Sequence, residues 1–165
     1  MPSTRNATRA AAPLLDRLMD AHPEREQDRA LPAASTVIEL RNSVRRDVEA
    51  LLNARRPWHS VPDRFATLRL SPLGYGIPDF TAGAFNDRLQ QESLRAEIET
   101  TIRRFEPRLA HVQVELADKP SPFTATLMLR ISALLRVEPE PEPVIFDTIL
   151  ETTTADVTVR PPEGI

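Results

Sequence analysis

A carboxylate beside an aromatic ring and two residues from a guanidinium is the one run in this chain with the makings of acid–base chemistry. Glu106 follows Phe105 and precedes Pro107 and Arg108. Burial against the ring would favour the neutral acid, whereas the arginine favours the carboxylate. A carboxylate paired to arginine is poorly tuned as a general acid. A glycoside hydrolase also needs two carboxyl groups about 5–9.5 Å apart around the scissile bond. Recognition or helix-end roles for Glu106 and Arg108, held about a proline-fixed turn, suit these residues better than hydrolysis.

Other reactive constellations are missing. His22, His59 and His111 are far apart, with no HExxH or HxH spacing and no carboxylate at ligand distance in sequence, so no metal is expected. The four glycines form neither a GxxxxGK[ST] nor a GxGxxG loop, and no GxSxG elbow presents a serine. Zero cysteines exclude thiolate nucleophiles and disulfides. No catalytic residue and no cofactor is assigned.

Charge and hydropathy narrow the partners. A net charge of −3 gives no field that would draw the chain to nucleic acid. No apolar run approaches the roughly 20 residues that span a bilayer, and the N-terminal stretch lacks an apolar core of signal-peptide length. No direct membrane insertion is expected, and the cytoplasm is the default location. At 165 residues and 41% apolar content, one core is the natural expectation.

The elements that must hold the Glu106–Arg108 turn can be read along the chain. Residues 1–34 read as a flexible arm with a short amphipathic docking segment: Leu14, Leu15, Leu18 and Met19 share one helical face. So short a helix folds only against something, either its own domain or a partner. The first firm helix is expected from about Thr36, which forms a capping box with Glu39, to about Arg55, with Leu40, Val44, Val48, Leu51 and Leu52 on its apolar face. Residues 57–79 form a long proline-rich loop with one short strand over Phe65–Leu70, and Gly74 and Gly76 flank the single tyrosine, Tyr75. Asp79 is expected to cap a short helix over Phe80–Gln90, and Ser93 a second one ending at Phe105 before Pro107.

From there the period changes to two. Val112, Val114 and Leu116 alternate with polar residues, and a longer alternation runs from Phe123 to Val137. The two make a hairpin across Asp118–Pro122. The run Glu138–Pro143 is expected to be a stiff spacer that stays out of any central strand. Two strand-like stretches follow, Val144–Glu151 and Ala155–Arg160, in an acidic terminal segment.

Three blocks together carry a resemblance: Arg45–Asn53 (RRDVEALLN), Ser71–Asp79 (SPLGYGIPD) and Phe105–Leu109 (FEPRL). Their order and spacing resemble TssE, the baseplate subunit family of the bacterial type VI secretion system, itself similar to lysozyme-like wedge proteins of contractile phage tails. The Leu14–Leu18 stretch is similar to the opening of TssE chains. The resemblance implies an α+β domain over residues 35–165, with N-terminal helices packed on a mostly antiparallel sheet of about four strands and a handshake-like C-terminal strand pair. It implies no enzymatic activity despite the lysozyme-like label; the competing class is a peptidoglycan hydrolase using Glu106. It implies wedge partners TssF and TssG, and sheath subunits TssB and TssC nucleated by strand addition to the sheet. Carried over by position, Glu106, Pro107 and Arg108 would be the wedge-contact motif; Tyr75 and Gly76 in the proline-rich loop and Leu14, Leu15 and Leu18 on the docking segment are the further candidate partner-binding residues. Strand addition would require open backbone along the sheet edges.

Overall fold

The computed structural model describes residues 16, 33–56, 64–80, 87–117, 126–138, 140–151 and 153–162. Of the expected arm only Asp16, Ala33 and Ala34 are among them, and Leu14, Leu15 and Leu18 lie outside the described residues. Helix α1 spans Ala33–Asn53. Leu40, Val44, Val48, Leu51 and Leu52 are all buried, as their spacing requires. The helix starts three residues before the expected Thr36 cap, because Ala33 and Ala34 are good helix formers that extend it upstream. It ends at Asn53 rather than Arg55, whose backbone instead bridges Ile77.

The loop that follows α1 corrects a second expectation. Residues Ala66–Arg69 form one helical turn, α2, not a strand, and all four lack burial. Alternation in so short a run cannot enforce a strand without a neighbouring one to pair with. A 3-10 turn, Pro72–Gly74, comes next; the Ser71 hydroxyl accepts from the Leu73 N–H at its start.

Helix α3 is continuous over Arg88–Phe105 and is capped by Asp87, whose carboxylate accepts from the Leu89 N–H at 2.9 Å. The expected break and Ser93 cap are absent: Ser93 is an interior, exposed position. Phe80 is not helical, and 81–86 lie outside the described residues. Leu94, Ile98 and Ile102 are buried along one stripe. The helix stops at Phe105 because Glu106 precedes a proline and leaves the helical region (φ −118°, ψ 79°).

Four strands, β1 (Leu109–Leu116), β2 (Thr126–Leu135), β3 (Glu142–Glu151) and β4 (Val157–Arg160), form an antiparallel meander in the order β1-β2-β3-β4. This is the α+β architecture expected. Alternate residues such as Val114, Leu129, Ile131, Phe146, Leu150 and Val159 face the core, while Met128, Arg130 and Ile145 face outward. Helix α3 packs along β1 and α1 along β4. A β-bulge between Ala110 and Gln113, with His111 at φ 51°, lets both Leu109 and Val112 point inward.

The spacer expectation fails at its end. Glu142 and Pro143 belong to β3, opposite Leu135 and Leu134 of β2. Proline is tolerated there because β4 covers only Asp147–Leu150, so β3 has a strand on one side only at Pro143.

Among the described residues, side chains of α1 and α3 occupy backbone groups along both edge strands, which corrects the expectation of unpaired rims on which simple strand addition rested. Along β4, Val159 donates its N–H to Glu49 (3.0 Å) and accepts from Arg45 (2.9 Å). Val157 exchanges both bonds with the Asn53 amide (2.9 and 2.7 Å), and Arg55 reaches the Ala155 carbonyl. Along β1, Val114 donates to Glu99 (3.2 Å) and accepts from Arg95 (3.0 Å), while Val112 accepts from Arg103 (2.6 Å). The spacing explains the match. Four helical residues rise about 6 Å, close to the rise of about 6.7 Å over two strand residues. Side chains at i, i+4 and i+8 of a helix therefore meet alternate residues of a strand edge.

Candidate functional site

Glu106 sits at the end of α3 and is only 4% exposed. Its carboxylate is taken up by Arg108. The guanidinium donates from Nε to Oε1 at 2.6 Å and from Nη2 to Oε2, and the Arg108 backbone N–H also donates to Oε1 at 3.2 Å. Pro107 holds the intervening turn, which the Leu109 N–H closes onto the Glu106 carbonyl.

Arg108 then reaches out of its own turn. Its Nη2 donates to Asp47 Oδ2 on α1 at 2.6 Å, and Nη1 lies 3.4 Å from the Ser43 hydroxyl. The Arg108 carbonyl accepts from the Arg136 N–H just past β2. Hydrogen bonding to Glu106 holds the Arg108 pKa above even its ordinary value; burial opposes this, and Asp47 adds to it. Asp16 joins from the N-terminal side, bonded to Ser43 and Arg46. The Ser43 bond, opposed by desolvation and reinforced by Arg46, lowers the Asp16 pKa.

Tyr75 stands beside this cluster with its ring edge-on to Phe105, centroids 5.3 Å apart. Burial raises its phenol pKa, and the Asp47 and Glu106 charges add to the effect. A groove of about 320 Å³ is lined by Asp47, Leu51, Tyr75, Phe105 and the Glu106–Arg108 turn. Gly76 is buried beneath Tyr75 at φ 94°, where a Cβ would come within 2.3 Å of the Ala54 carbonyl oxygen. Its part is to let Ile77 pair with the residues just past α1, through Ile77 N–H to Ala54 C=O and Arg56 N–H to Ile77 C=O.

The expected site residues therefore divide. Glu106, Pro107, Arg108 and Tyr75 line one groove; Gly76 is buried against Ala54 instead; Leu14, Leu15 and Leu18 fall outside the described residues. Asp47 and Ser43 are additions, with no sequence signal beyond an acid set among arginines. Along the loop that leads to Tyr75 the exposed side chains include large apolar ones: Phe65, Leu68, Leu70, Leu73 and Tyr75 itself are 38–65% exposed.

This arrangement does not support acid–base catalysis. Glu106 and Asp47 share one guanidinium nitrogen instead of facing each other across a cleft, and neither Glu106 oxygen is left to carry a proton to a substrate. Among the described residues no cluster of histidine and acidic side chains is placed to hold a metal ion, and no helix is long and apolar enough to cross a membrane. What the fold and the braced turn define is a scaffold module that presents a fixed surface.

The sequence profile of one family, baseplate wedge protein gp25, matches residues 38–140, and the chain belongs to that family. Its role is accordingly structural and non-enzymatic, as part of a baseplate wedge that makes protein–protein contacts. No curated protein matches the chain.

Proposed function

We propose that the chain is the TssE-type wedge subunit of a type VI secretion baseplate, acting in the cytoplasm, binding TssF and TssG and nucleating the TssB/TssC sheath. The single observation that carries the wedge contact is the rigid presentation of apolar surface beside the Glu106–Arg108 brace. Tyr75 and Leu73 are exposed, yet the turn beneath them is tied to α1 through Gly76 and Ile77. Exposed apolar side chains on a fixed frame bind without a large ordering cost. Arg108 and Pro107 border the same groove, and arginine and tyrosine are common anchors of protein interfaces.

The test is purification of the tagged chain from its native cell. Two different, larger proteins should accompany it, and a Leu73→Ser/Tyr75→Ser variant should lose them while remaining folded. A chain that purifies alone sinks the proposal. A cell-wall turbidity assay separates the hydrolase class: clearing by the native chain that Glu106→Gln abolishes would favour it. Sheath nucleation by strand addition additionally requires the rim side chains to be displaced.

A further inference from the structure

Helices cover the inner side of the sheet; on its outer side, alternate residues stand in rows that the register sets across the strands. One row is Glu115, Arg130, Asp147 and Arg160, one residue from each strand in spatial order. Its charges alternate: negative, positive, negative, positive. Arg130 and Asp147 at the centre pair with each other at 2.9 Å. Glu115 and Arg160 at the two ends are exposed and form no ion pair among the described residues. The next row holds Met128, Ile149 and Thr158, with Met128 53% exposed, and a pit of about 320 Å³ is lined by members of both rows. On the other side of the charged row stand Ser132 and the exposed Ile145, then Leu134 and Pro143.

We propose that this outer face is a self-docking surface, on which a second copy of the chain seats face to face about a two-fold axis running along the strands between β2 and β3. Such an axis keeps each row level and reverses the strand order, so β1 faces β4 and β2 faces β3 of the second copy. The run of signs along the row is its own complement under that operation. Glu115 meets Arg160 of the second copy, Arg160 meets its Glu115, and each Arg130 lies over an Asp147. The two charges left unpaired within one chain are the two that find partners in the pair. In the adjoining row Met128 seats over Ile149 of the second copy, which adds apolar burial. A two-fold axis running across the strands would instead set like charge on like charge, so charge selects one orientation. Sheets aligned in this way cross at about 30°, a turn that side chains as long as arginine and glutamate can span. With strands about 4.8 Å apart and rows about 6.7 Å apart, the face covers roughly 450 Å² a side. That lies at the low end for a specific interface, so the pair is weak and concentration-dependent. The inference goes beyond the wedge reading and does not rest on it.

The test is sedimentation of the full chain without partners, over a concentration series reaching about 0.5 mM, where a weak interface of this size is populated. The native chain should form a dimer and nothing larger, since a two-fold contact closes on itself. Glu115→Arg and Arg160→Glu should each weaken the dimer at least about tenfold, because each sets two like-charged contacts into it. Mixed in equal amounts, these two variants should dimerise with each other at about native affinity, since every end charge then faces its opposite. Misfolding of either variant could not be rescued in that way. Met128→Ser should also weaken the dimer while circular dichroism stays native. A native chain that is monomeric throughout, a dimer indifferent to both reversals, or a mixture that stays apart overturns the inference. If the native chain is monomeric and both reversals abolish its co-purification with larger proteins, the face belongs to those proteins and not to a second copy.

Discussion

The Arg108 guanidinium lies 2.6 Å from the Asp47 carboxylate, across 61 residues of sequence, while also gripping Glu106 two residues away. One side chain thus ties the end of α3 to the middle of α1. A charge-assisted network of this kind fixes direction more than it adds stability, since part of the attraction offsets desolvation.

Removing Arg108 leaves Glu106 buried without its partner. Breaking a fully buried pair costs about 3–5 kcal/mol; with a quarter of the Arg108 side chain exposed, Arg108→Ala should cost on the order of 2–3 kcal/mol. Chemical denaturation measures this directly. Asp47→Ala, at the more exposed end of the network, should cost less.

Gly76→Ala meets two obstacles, the positive φ of 94° and the Ala54 carbonyl 2.3 Å from the added carbon. Strain of this type costs about 1–3 kcal/mol. A lowered thermal midpoint is expected, with faster amide exchange at Ile77 and Arg56, whose N–H groups close that junction.

Tyr75 offers a spectroscopic check, because it is the sole tyrosine. Its folded pKa is raised by burial and by the nearby Asp47 and Glu106 charges, so folding favours the protonated phenol. The stability this contributes is intact below about pH 10 and is lost as the pH climbs through the folded value. Ultraviolet titration should show phenolate forming at higher pH in the folded protein than after denaturation. Asp47→Asn should shift that titration back downward.

Thr148 is 1% exposed, and its hydroxyl has no hydrogen-bond partner among the described residues. An orphaned buried hydroxyl costs about 1–3 kcal/mol, so Thr148→Val should stabilise the protein by about 1 kcal/mol in thermal unfolding. A destabilised variant would show that the hydroxyl is satisfied in solution.

Leu73 is 53% exposed and should behave as a surface position. Leu73→Ser is expected to change stability by no more than about 0.5 kcal/mol while weakening capture of wedge partners. Calorimetry and co-purification separate the two effects.

Sequence periodicity located α1, the body of α3 and the β1–β2 hairpin, because each has one face that must be buried and repeats at its own period. It failed where periodicity is short or where a neighbour decides. Residues Ala66–Arg69 alternate too briefly to specify a strand, and Asp87 displaced Ser93 as the cap of α3. Pro143 entered β3 because β4 is short there, which only the sheet order reveals.

The site shows the same division. Local covalent chemistry settled that Pro107 ends a helix and that Glu106 and Arg108 share a turn, since both follow from a fixed φ and a two-residue reach. That Arg108 turns inward to Asp47, and that α1 and α3 seal the sheet rims, depended on helices and strands distant in sequence coming to lie side by side. Pairings between remote residues are selected by packing of the whole core, and no local pattern carries that information.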